Sequence, residues 1–191
     1  PTVASPVWEA SVTIERTTQF TLLAFAEDGS KYTPYEMVYT ATELKPAQDA
    51  SLKTESGLAY RFYELSGNPT SLPDFGQLPI TSTGHVPTQL LGQSIDVSKI
   101  AGERQDHFAL HLAGFIQVPV DEVYHFHLAS DDGARLLIDG EQVIDLNTHS
   151  YVDAWEAEGS IGLKAGLHRV EIFYYQDAQR RKLQLKSKKG N

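Results

Sequence analysis

Cysteine is absent from this chain of 191 residues, which excludes disulfides, thiolate catalysis and Cys-ligated zinc. The absence leaves secretion open, because exported bacterial domains often do without cysteine. Positive charge is scarce: 16 Lys and Arg stand against 25 Asp and Glu, a formal net charge of −9. A nucleic-acid partner is therefore not expected, since phosphate contacts need a basic surface. The one basic run, Lys186 to Lys189, reads as a solvated terminus. No apolar stretch approaches the roughly 20 residues that span a bilayer, so no membrane insertion is expected. No signal peptide is visible, and the chain opens at Pro1-Thr2 without Met, which reads as a fragment or processed product. Nucleophile elbow, P-loop and zincin motifs are all missing. The chain itself is read as non-catalytic.

What is present is alternation. Apolar residues make up 41% of the chain, enough for a packed core. Tyr124, Phe126 and Leu128 alternate with His125 and His127, the period of a half-buried strand. Ser130-Asp131-Asp132-Gly133 interrupts it. Leu136 and Ile138 resume the pattern, Asp139-Gly140 is a hairpin signal, and Val143 and Ile144 open the next strand. Tyr124 to Asp145 thus reads as three short strands joined by two turns. Phe108, Leu110 and Leu112 make an earlier strand. Ile161 and Leu163, then Val170, Ile172 and Tyr174, read as a strand pair, and Leu183 with Leu185 as the closing strand. No helix longer than a turn or two is required. Leu65 to Gly102 is a long loop-rich segment with a short strand near His85, and its Phe75 is expected to be buried beneath the loop.

Adjacent carboxylates at Asp131 and Asp132 repel each other, and a tight turn needs only one. Two readings follow: a solvated turn, or a hard divalent cation that takes several oxygen ligands. Glycoside hydrolysis does not fit the pair, because its two carboxylates stand about 5–9 Å apart across a substrate, whereas neighbouring Cα atoms are under ~4 Å apart. His125 and His127 share one strand face, and His111 is a candidate neighbour. Zinc is conceivable there, and a solvated face is the preferred reading.

The SDDG turn, the LxIDG hairpin, the LxAGxHxxxxxYxQ stretch from Leu163 to Gln176 and the final LxL strand together resemble the PA14 family, over roughly Gly57 to Lys188. The resemblance implies an all-β fold, an antiparallel β-sandwich or barrel, in a bacterial, secreted, periplasmic or cell-surface setting. It implies a cis Asp131–Asp132 bond and calcium at Asp131 and Asp132, with Asp177 and Gln176 from the loop before the last strand as further ligands. Adhesins of the family often carry Asn in that loop, and this one has none. The implied function is calcium-assisted carbohydrate binding, with Trp155, Tyr151 and His149 as ligand-binding candidates beside the cation. The alternative is a structural spacer that packs against its parent protein.

Residues 1–42 resemble the end of a chitobiase C-terminal-like, fibronectin-type domain, through Ser5-Pro6-Val7-Trp8 and the stretch from Ile14 to Phe20. The expected organisation is a partial β-sandwich segment over 1–42, a polar linker over 43–56 and a PA14 domain over 57–191. Both resemblances imply an accessory region of a hexosaminidase-like glycoside hydrolase or a surface protein. They also imply a contact with a catalytic domain upstream in the same polypeptide.

Overall fold

A computed structural model describes residues 14–48, 57–87, 95–147, 155–178 and 180–189. The chain divides into two compact units, Pro1–Glu43 and Leu44–Asn191. The first holds an antiparallel pair, β1 (Thr18–Leu22) and β2 (Tyr35–Tyr39). Phe20 meets Tyr39 edge-on at 5.8 Å. Tyr35, Val38 and Tyr39 are exposed, so this ribbon builds no core of its own.

The second unit is an antiparallel sandwich. Its six-stranded sheet runs β4 (Ser82–Val86), β3 (Leu58–Glu64), β5 (Phe108–Val118), β10 (Gly166–Gln176), β7 (Ala134–Ile138), β8 (Glu141–Leu146). Its three-stranded sheet runs β11 (Lys182–Lys189), β6 (Glu122–Asp131), β9 (Trp155–Leu163). A single helical turn, α1 (Val97–Ala101), buries Val97 and Ala101. The inward rows of both sheets form one core: Leu110, Leu136, Ile172 and Tyr174 from the larger, Phe126, Leu128, Ile161 and Leu185 from the smaller. Residues 44–48, within the segment expected as linker, run along this sandwich. Lys45 bridges to Leu163, and Gln48 to Leu167.

Two pairings differ from expectation. The strands on either side of Asp131-Asp132-Gly133 are not a hairpin: β6 lies in the small sheet and β7 in the large one. β9 and β10 likewise belong to different sheets. Alternation reports which side of a strand is buried and is silent on its partner. The Asp139-Gly140 turn is as expected, with φ of 48° and 78°. Its carboxylate explains the His of the LxAGxH stretch. Buried His168 sets Nδ1 2.5 Å from Asp139 Oδ2 and Nε2 2.7 Å from the Lys164 carbonyl oxygen.

The outer face of the large sheet is covered as well. Leu72, Phe75 and Leu78 of the long loop pack over Tyr63, Ala109 and Tyr175. Phe75 sits edge-on to Tyr63 at 5.2 Å and to Phe173 at 5.0 Å, partly buried where the sequence suggested full burial.

Candidate functional site

The crossing from β6 to β7 carries the paired carboxylates. Asp131 ends β6, Asp132 and Gly133 bridge the gap between sheets, and Ala134 begins β7. The Asp131–Asp132 peptide bond is cis. Gly133 is required by close approach: a Cβ there would lie 2.4 Å from Tyr175 Cε1 and 3.0 Å from the Leu146 carbonyl oxygen. The Gly133 carbonyl accepts the Tyr175 N–H at 3.0 Å, tying the crossing to β10.

β10 supplies the rest of the support. The Tyr174 hydroxyl lies 2.6 Å from the Asp131 carbonyl oxygen and 2.5 Å from Gln176 Oε1, so one proton is shared between two acceptors. Gln176 is fully buried and donates through Nε2 to the Ala178 carbonyl. Its carboxamide is therefore engaged within the protein, as a prop behind the crossing. Asp177 follows, and its N–H donates to Asp132 Oδ2 at 2.7 Å. The two acidic segments, 45 positions apart, thus meet.

Asp177 is held from its other side by His107. The His107 N–H donates to the Asp177 carbonyl at 3.0 Å, and His107 Nε2 stands 3.4 Å from Asp177 Oδ1. His107 has φ of 55°, unusual for a residue other than glycine. Arg104 brackets it by donating to the carbonyls of Asp106, His107 and Leu65.

The electrostatics follow from burial. Asp132 is only 5% exposed. Burial, then the charges of Asp132 and Asp131, hold the Tyr174 phenol well above its ordinary range, and Arg181 opposes them. Burial, then Asp132 and Asp177, push Tyr175 up to about 12. Both phenols therefore stay protonated beside the carboxylates.

The groups at the crossing are hard oxygens, the chemistry calcium takes. Asp177 Oδ1 is buried without a hydrogen-bond partner, the His107 contact lying outside hydrogen-bond geometry. Among the described residues no three His, Asp or Glu side chains stand close enough to share an ion. In donor type Asp131, Asp132 and Asp177 suit calcium, and they are the residues that would hold it.

Of the aromatic candidates, the backbone of Trp155 opens β9 opposite Ser130, next to Asp131. Its side chain, with His149 and Tyr151, lies outside the described residues. Sequence reasoning missed the parts of Tyr174 and His107. An inward Gln176 in an apolar row was a usable signal for the first, and nothing in the local sequence marked the second. The three histidines do not converge: His111 is on β5, while His125 and His127 are on β6 in the other sheet.

The PA14 domain family matches residues 54–190. The chain belongs to the PA14 family. Similar solved structures carry the same fold. A PA14 sugar-binding domain from an RTX adhesin superposes with a TM-score of 0.55 at 18% identity, covering 70% of this chain and 90% of that one. The PA14 domain of the antifreeze protein MpAFP gives 0.54 at 19% identity, covering 74% and 87%. A β-glucosidase from Kluyveromyces marxianus gives 0.55 at 17% identity, covering 75% of this chain and 18% of the enzyme. This chain spans under a fifth of that enzyme's length. No curated protein matches the sequence. At these identities the likeness is one of fold.

Proposed function

We propose that this PA14 module is a non-catalytic carbohydrate-binding unit. It takes glycan at the Asp131–Asp132 end with the help of calcium, as an accessory to a larger secreted or surface protein such as a glycoside hydrolase. The observation that carries the reading is the meeting of Asp132 and Asp177 through a 2.7 Å hydrogen bond, next to Asp131. Membership of the PA14 family supports it, as does the likeness to a PA14 domain described as sugar-binding. Asp131 and Asp132 would hold the cation, with Asp177 beside them. Calcium bound there supplies positions that vicinal sugar hydroxyls can fill in place of water. Tyr174, Tyr175 and Gln176 keep the crossing in place from behind. The competing spacer reading draws on the lack, among the described residues, of a third ligating side chain in the group.

Calorimetric titration with calcium, followed by a glycan array in calcium and in chelator, tests the proposal. The expected result is calcium binding that Asp132→Asn abolishes, and glycan signals lost in chelator. No calcium heat and no chelator-sensitive glycan signal would leave the spacer.

A further inference from the structure

The outward face of the three-stranded sheet is built differently from the rest of the module. β6 turns Tyr124, Phe126 and Leu128 into the core and His125 and His127 outward. β11 turns Leu183 and Leu185 inward and leaves Lys186 and Lys188 exposed. The register sets Lys188 beside His125 and His125 beside Ser160. One row along, it sets Lys186 beside His127 and His127 beside Glu158. The run read from sequence as a solvated terminus is therefore the cationic edge of a sheet.

These side chains enclose a groove of about 320 Å³, lined by His125, His127, Glu158, Lys186 and Lys188. That volume is at the lower end of small-ligand sites, ~300–1,000 Å³. Among the described residues the ammonium groups of Lys186 and Lys188 and the Glu158 carboxylate have no ion-pair partner. His125 Nδ1 meets Ser160 Oγ at 2.7 Å, and His127 Nε2 lies 3.3 Å from Glu156. His127 Nδ1 is buried with no hydrogen-bond partner.

We propose that this groove is a second glycan site, one that takes an acidic sugar unit through its carboxylate and needs no calcium. The proposal rests on reading the module as carbohydrate-binding, and the site itself is separate from the Asp131–Asp132 end. Charge runs across the groove from lysine on β11, through histidine on β6, to glutamate on β9. A uronate ring has the matching polarity: its carboxylate meets Lys186 and Lys188, and its hydroxyls donate to Glu158. Polyphosphate and DNA backbones supply the anions but no free ring hydroxyls for Glu158 to accept from, whereas every uronate unit supplies both. In a chain of net charge −9, a local lysine strip also focuses an anion onto this face.

The test uses the full chain in chelator, with tetragalacturonate and its carboxyl-reduced neutral counterpart. Calorimetry gives affinity, and NMR follows the imidazole signals of His125 and His127. The acidic oligosaccharide is expected to bind without calcium and to shift both ring signals. The neutral form should be silent. Lys186→Ser with Lys188→Ser should weaken binding about tenfold or more, with thermal stability unchanged. Silence of tetragalacturonate, equal binding of the neutral form, or indifference to the lysine substitutions overturns the proposal. Because calcium is chelated throughout, none of these outcomes bears on the Asp131–Asp132 site.

Discussion

The two sheets of the sandwich share a core but differ on their outer faces. The six-stranded sheet is packed on both sides at its centre: β5 and β10 turn Ala109, Phe173 and Tyr175 outward, and partly buried Leu72, Phe75 and Leu78 of the long loop lie against them. The three-stranded sheet turns His125, His127, Lys186 and Glu158 outward, where among the described residues they line the groove. A sheet covered on both faces needs apolar residues at both parities of its strands, and a half-covered one needs them at a single parity. Rigidity and recognition follow the same division. The doubly covered sheet supplies β10, which braces the Asp131–Asp132 crossing, and the half-covered sheet presents side chains to solvent.

The contrast can be broken most directly at Phe75. Phe75→Ala uncovers the outer face of the large sheet and removes contacts to Tyr63, Phe173 and His111. A loss of about 2–3 kcal/mol is expected in urea denaturation, whereas Lys188→Ser on the bare face should stay within about 0.5 kcal/mol of the parent.

Tyr174→Phe sharpens the contrast at the crossing itself. It deletes the hydroxyl between Asp131 and Gln176, leaving a buried carboxamide oxygen short of a donor. The expected cost is about 1–2 kcal/mol, together with weaker calcium binding by calorimetry. Unchanged stability would mean that the shared proton contributes nothing to holding the crossing.

The smallest effect concerns pH. His111 stacks on Phe173 with ring centroids 4.4 Å apart and sets Nε2 3.0 Å from Glu171. Burial lowers its pKa, Glu171 opposes that shift, and Arg61 and Arg169 add to it. The unfolded chain therefore takes up this proton at a higher pH than the folded one. Stability falls as pH drops through about 6.5 and levels off below the folded pKa. His111→Gln should flatten the dependence of melting temperature on pH between about 7.5 and 5. An unaltered slope would place the pH response elsewhere.

Much of the fold was legible because burial writes a period of two into a strand. β5, β6, β7 and β10 were visible that way, and Asp139-Gly140 marked its turn through the positive φ it needs. The paired Asp131 and Asp132 marked the site, because adjacent like charges in an apolar context ask for a partner. Pairing was not legible. β6 and β7 adjoin in sequence and part in space, and β9 and β10 do the same. Nor could local pattern show that His107, held by Arg104, would stand against Asp177.

The amino-acid sequence alone determined the β character of the chain, its turns and the acidic step at 131–132, because each depends on neighbours along the backbone. Only the tertiary structure decided that Asp177 meets Asp132, that Phe75 closes one outer face, and that Lys186 lines up with His127 on the other. Those outcomes depend on which strands pair and in what register. Pairing is settled by burying one shared core, a property of the whole chain and of no single stretch of it.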